Sequence, residues 1–105
     1  MSLDVTLYTD LEEPEHVEVL AKHLLLSGYS DREDWSKTFP AGPFDTEILR
    51  DEGIEVDVRS RSMFRVNKDK QDVEFAFLAS LLIEMKKSGK AAMLLNGERF
   101  GALED

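Results

Sequence analysis

The sequence predicts an α+β domain in which two helices lie on one face of a mainly antiparallel sheet. Three observations predict it. Leu3, Val5 and Leu7 alternate with Asp4, Thr6 and Tyr8, and a longer alternation runs over residues 54–66; period two is the signature of strands with one buried face. Val17, Leu20, Ala21 and Leu24 recur at i, i+3, i+4 and i+7, and an apolar run at 75–83 marks a second helix. Asn96-Gly97 divides residues 91–95 from 98–103, and Asn-Gly supplies the positive φ angles of a tight hairpin. At 105 residues the chain reads as one domain, 1–105, large enough for a modest core without staples.

The elements follow in order. After the first strand, Asp10 is an N-cap candidate with Glu13 three residues on, in the manner of a capping box, and Pro14 is tolerated in the first turn. Acids at 12, 13, 15 and 18 suit a helix N-terminus through the macrodipole. Gly28 ends this helix, which spans about 14–27. Residues 29–44 are the least regular, because Pro40, Gly42 and Pro43 break helices and central strands. Trp35, Phe39 and Phe44 are expected to pin that stretch onto the domain, each worth roughly 1.5–3 kcal/mol if fully buried.

Residues 46–50, the turn Asp51-Glu52-Gly53 and the chain from Ile54 onward read as a hairpin. A short helix capped by Asp45 and stopped by Gly53 is the competing reading, and the hairpin is preferred. The alternation that follows puts Ile54, Val56, Val58, Ser60, Ser62, Phe64 and Val66 on one side. At ~3.3 Å per residue an unbroken strand of that length overshoots a small domain, so a bend, bulge or turn is expected at Ser60 and Ser62. Asp69 is the expected N-cap of the second helix, 70–88, which ends at Ser88-Gly89.

This succession resembles the ferredoxin-like α+β sandwich, β-α-β-β-α-β, with an additional C-terminal hairpin strand. The resemblance rests on element order and transfers no functional residue, since that fold hosts many unrelated functions.

Charge is sorted along the chain. Residues 1–57 hold 15 Asp/Glu and four Lys/Arg, a balance of −11, while residues 58–105 hold seven acids and nine bases, a balance of +2. An uneven distribution produces a directional field that steers encounters and rejects wrong partners. A net charge of −9 argues against nucleic acid as the partner. Without cysteine, disulfides, thiol nucleophiles and Cys-based zinc sites are excluded. The start lacks a basic n-region, and the longest near-apolar run falls far short of the ~20 residues that span a bilayer. A soluble, cytoplasmic protein without a membrane partner is expected.

Two clusters of opposite sign are the candidate sites. The partner-binding candidates are Glu12, Glu13, Glu15 and Glu18 at the first helix, with Asp31, Glu33, Asp34 and Trp35, where acids surround one aromatic anchor. Helix-dipole complementarity alone also accounts for several of these acids. The anion-binding candidates are Arg59, Arg61 and Arg65, on one face of the long strand; pairing with Glu55, Asp57 and the acidic helix is the reading preferred for them. Val73, Phe77 and Leu81 form a second apolar stripe on the second helix, suited to packing on the first helix or on a second copy of the chain. Val19 and Leu26 make a smaller apolar spot on the first helix.

His16 and His23 lie ~10 Å apart along a helix, too far to share one metal ion, and read as boundary residues. Asp31 to Asp34 fail the spacing of a calcium loop. No nucleophile elbow and no phosphate-binding loop is present. No metal or cofactor is expected.

The profile points to a small acidic, non-enzymatic protein that binds a basic protein partner by electrostatic complementarity. It looks like bacterial inhibitor or immunity proteins that neutralise toxin enzymes. The alternative is a dimeric ligand-binding or regulatory domain that holds an anionic small molecule against Arg59, Arg61 and Arg65.

Overall fold

A computed structural model describes residues 3–29 and 35–99. Along it run β1 (Leu3–Thr9), α1 (Glu13–Leu26), β2 (Ser36–Pro40), α2 (Asp45–Asp51), β3 (Ser60–Val66), α3 (Gln71–Ser88) and β4 (Ala91–Leu95), with a 3-10 turn at Lys68–Lys70 before α3. The strands form one sheet in the order β2-β3-β1-β4, every pairing antiparallel. The α+β class and the antiparallel sheet are as expected. The expected β-α-β-β-α-β succession is interrupted, because α2 stands where a hairpin arm was preferred and the second strand is β2.

Two short-range interactions hold the ends of α2, and Arg61 of β3 adds a longer-range one on Asp45. The Asp45 carboxylate accepts the Gly42 N–H at 2.7 Å, which holds the first turn. Gly53, at φ +76°, closes the other end with its N–H on the Arg50 carbonyl at 3.0 Å. Asp45 and Leu49, one turn apart, are the buried residues of α2. The cap at the first position is Phe44 rather than Asp45. Pro40 survives in β2 because β2 is an edge strand, where a missing N–H costs no ladder bond.

The long alternation keeps its buried–exposed rhythm throughout but neither one side nor one pairing. Val56 and Val58 pack with Tyr8 and Leu94, whereas Phe64 and Val66 pack with α1 and α3. Residues 54–59 stay extended outside the ladder, and β3 begins at Ser60, where the break was expected. Arg59 stitches the junction: its N–H reaches the Thr9 carbonyl at 2.9 Å, and its carbonyl takes the Ala41 N–H at 3.0 Å.

Strand alternation gives the sheet two faces. Val5, Leu7, Phe64, Val66 and Met93 point to the face covered by α1 and α3 and join Leu20, Leu24, Phe77, Leu78 and Leu81 in the main core. Tyr8, Ala92 and Leu94 point to the other face, where Leu49, Val56 and Val58 bury them in a smaller cluster.

Helix α1 is rotated from the expected stripe. His16, Leu20 and Leu24, at i, i+4 and i+8, face inward, whereas Val17 is 45% exposed and Ala21 is exposed. Its N-cap is Glu12, with no side-chain cap. Asp10 instead accepts the Lys90 N–H at 2.9 Å, tying the β1 exit to the β4 entry. Gly89 belongs to that junction, since a Cβ there would collide with the Asp10 carboxylate. The C-terminus is a Schellman motif: Tyr29 N–H bonds the Leu24 carbonyl and Gly28 N–H the Leu25 carbonyl, with Gly28 at φ +78°.

Asn67, not Asp69, caps the approach to α3 by accepting the Asp69 N–H at 2.9 Å. Buried Glu74 reaches back to the Asn67 N–H at 2.6 Å. The Asn96-Gly97 turn forms as expected, with φ of 50° and 83° and Leu95 bridged to Glu98. The expected strand beyond residue 99 lies outside the described residues.

Candidate partner-binding surface

Under α1 the sheet carries a line of polar side chains within an apolar layer. His16 is fully buried, and both ring nitrogens are engaged. Nδ1 lies 2.8 Å from the Ser60 hydroxyl and Nε2 lies 2.6 Å from the Ser62 hydroxyl. Ser60 donates its one proton to the Leu11 carbonyl at 2.7 Å, so it accepts from His16, which places the imidazole proton on Nδ1. Nε2 is then the acceptor, Ser62 donates to it, and Thr38 donates to Ser62 across 2.7 Å. The chain of donors runs one way from β2 through β3 to the start of α1. Burial among these neutral groups lowers the His16 pKa to about 4, so the ring is neutral at pH 7.

His16 is therefore not the boundary residue that its spacing suggested. His23 is one: it is half-buried, lies 2.8 Å from the Ser80 hydroxyl and rests against Phe77. Burial lowers its pKa, with Glu84 opposing. Phe77 and Leu81 are buried within this chain against α1 and the sheet, which removes both from a surface for a second copy; Val73 stays 57% exposed. Val19 is partly buried against the core, and Leu26 is exposed.

The arginines of the second face each meet a carboxylate. Arg59 bonds Glu12 at 2.7 Å, Arg61 bonds Asp45 at 2.9 Å, and Arg65 approaches Asp4 at 3.5 Å. The preferred reading, that these arginines pair internally, fits this geometry, although Asp45 and Asp4 replace Glu55 and Asp57 as partners. Arg61 also lies over the Phe39 ring, 5.8 Å from its centroid. The Glu12 hydrogen bond raises the Arg59 pKa, and the fields of Asp57 and Asp10 add to it. The acidic start of α1 and the extended segment before β3 thus meet around one cation.

Among the acidic candidates, Glu12 is committed to Arg59, while Glu15 and Glu18 are exposed on α1. Neither Glu15 nor Glu18 forms an ion pair among the described residues. Glu13 is half-buried. Asp31, Glu33 and Asp34 lie outside the described residues. Trp35 does pin its stretch: its ring sits 5.2 Å from Phe64 and 5.5 Å from Phe77, and its indole N–H donates to the Arg65 carbonyl at 2.8 Å. Phe39 does so only partly, at 37% exposure, and Phe44 does not, at 65%.

Sequence reasoning missed the His16–Ser60–Ser62–Thr38 line. Its signal was present, since two serines on the apolar side of a strand need a polar partner from the element above them. It also missed the shallow cleft beside Trp35, for which the sequence offers no signal because exposure there depends on where α2 stops.

Among the described residues no three His, Asp or Glu converge on a position that could hold a metal ion, and no helix is long and apolar enough to cross a membrane.

The geometry defines a class: an antiparallel sheet with two long helices on one face and a short helix over half of the other. No protein-family model matches the chain, and no curated protein matches it. Among solved structures, the fold is similar to that of a chain in the CdiA-CT/CdiI toxin and immunity complex from Burkholderia pseudomallei. The TM-score is 0.70 at 17% identity, over 91% of this chain and 93% of that one. At this identity the likeness is one of fold.

Proposed function

We propose that this chain is an immunity-type protein that neutralises a basic toxin by binding it, in the cytoplasm of a bacterium. The observation that carries the reading is the fold shared, over nine-tenths of both chains, with a component of a toxin and immunity complex. The charge supports it: the balance is −9, and Glu15 and Glu18 are exposed on α1 with no ion pair among the described residues. A field of this kind raises the encounter rate with a basic surface and fades with salt over a Debye length of roughly 8–10 Å. Glu12, Glu13, Glu15 and Glu18, with Asp31, Glu33 and Asp34, supply the electrostatic contact, and Trp35 anchors its desolvated centre. Binding alone, by covering the toxin's working surface, suffices for neutralisation.

The test is capture of partners from the native lysate at low and high salt, followed by expression of the captured protein with and without this chain. The expected result is a basic protein released by salt, toxic alone and harmless when co-expressed. Glu15→Gln with Glu18→Gln should weaken the complex. A partner whose toxicity this chain leaves unchanged, or no protein captured at either salt, overturns the reading.

A further inference from the structure

The second face of the sheet is only half covered. Over β1 and β4 it is closed by Leu49, Val56 and Val58. Over β2 and β3 it is open, and there the register sets out a grid. Lys37 faces Met63, Phe39 faces Arg61, and on the other side of β3 Met63 faces Thr6 while Arg65 faces Asp4. The result is a cleft of about 420 Å³ in which Trp35, Phe39 and Met63 are the apolar walls, Lys37 and Arg65 stand at the rim, and Asp4 lines the side next to Arg65. Phe39 and Met63 are 37% and 44% exposed, so two large apolar side chains meet water side by side.

Aromatic residues, Met and Arg are the types enriched in the centres of protein interfaces. The walls are also held before any partner arrives: the Trp35 indole is bonded to the Arg65 carbonyl, and Arg61 lies on Phe39. Side chains already fixed lose little entropy on binding. The rim is cationic on a chain whose net charge is −9. Lys37 makes no ion pair among the described residues, and Arg65 holds Asp4 only at 3.5 Å. With Lys37 and Arg65 against Asp4 alone, the cleft carries a net positive charge on an acidic chain.

We infer that this cleft is a second docking point for the protein partner, taking an apolar or aromatic side chain flanked by a carboxylate. The inference rests on the reading that the chain binds a protein. It adds a fixed register to that reading: basic partner surface lies against the acids of α1, and one acidic knob lies against Lys37 and Arg65. A partner that is basic throughout is rejected at the cleft, and an acidic one is rejected at α1.

Trp35 is the only tryptophan, so its fluorescence and its indole N–H resonance report on the cleft directly. The probes are acetyl-Asp-Phe-Asp-amide and acetyl-Lys-Phe-Lys-amide, titrated into the intact chain at low salt. The acidic peptide should shift the resonances of Trp35, Lys37, Phe39 and Met63 and bind roughly tenfold more tightly than the basic one. Lys37→Glu should abolish that preference, and Met63→Glu should abolish binding while the far-ultraviolet spectrum and unfolding midpoint stay unchanged. Equal shifts with both peptides, shifts confined to other surfaces, or no binding overturns the proposal. So does concentration-dependent dimerisation that Met63→Glu removes, because the cleft is then a contact between copies. If a captured toxin is neutralised as well by Met63→Glu as by the unaltered chain, the cleft proposal fails and the immunity reading stands. If the acidic peptide binds but no toxin is neutralised, that reading fails instead.

Discussion

The two faces of the sheet are built from the same strands and end in opposite conditions. Under α1 and α3, Val5, Leu7, Phe64 and Val66 are sealed into the main core. One residue further along the same β3, Met63 and Arg65 meet solvent on the half of the second face that α2 leaves bare. The difference teaches that alternation along a strand assigns a residue to a side and says nothing about whether that side is covered. Cover comes from connections: 14- and 18-residue helices on one face, a seven-residue helix and an extended strap on the other.

The largest expected effect breaks this comparison directly. Phe64→Ala empties a fully buried ring position against Trp35 and should cost about 3–5 kcal/mol in denaturant unfolding. If it costs no more than a surface substitution, the helix-covered face is not the main core.

Next comes the polar line on that face. The His16 pKa lies near 4 against an ordinary value of 6.5, so the unfolded chain takes up a proton that the folded chain refuses. Stability is then complete above about pH 6.5 and falls as pH drops toward 4, by about 3 kcal/mol in all. Half-buried His23, also lowered, acts in the same direction. His16→Gln should flatten much of that slope, and unfolding midpoints measured between pH 7 and pH 4 check it. A slope that survives the substitution unchanged would remove His16 as its source.

The covered part of the second face holds one buried carboxylate. Asp45 accepts from both Gly42 and Arg61, and Asp45→Asn should cost about 1–3 kcal/mol by thermal unfolding. The smallest effect belongs to the open part, where Met63→Ala should change stability by no more than about 0.5 kcal/mol. The contrast between Met63→Ala and Phe64→Ala, adjacent in sequence, is the sharpest measure of the difference between the faces.

Much of this fold was legible in the sequence, for reasons tied to particular residues. The alternation from Ile54 to Val66 was right in its buried–exposed rhythm, because period two is a property of extended backbone whether or not a ladder forms. It did not show that Val56 and Val58 pack on the opposite face from Phe64 and Val66. Asn96-Gly97 was right because its φ angles are a local matter. Hairpin and helix were both open at 46–50, where the deciding contacts are the Gly42 N–H and Arg61 on Asp45, and Arg61 lies 16 residues away. The α1 stripe went astray at His16, because a periodicity argument counts apolar residues and cannot see that a histidine with two hydroxyl partners is satisfied in a core. For the candidate site, sign was legible and pairing was not: Arg59, Arg61 and Arg65 were read as cations on one face, but their partners come from three other segments.

The sequence by itself determined the class of fold, the sides of the strands, the hairpin turn and the acidic character of the N-terminal half. These follow from backbone geometry and composition, which act over a few residues or over the whole chain without regard to arrangement. Only the tertiary structure decided that His16 is neutral and buried, that Phe77 and Leu81 are core, and that Phe39 and Met63 border an open cleft. Each of these depends on which distant segment lies within a few ångströms, and desolvation, hydrogen bonding and exposure are all properties of that proximity.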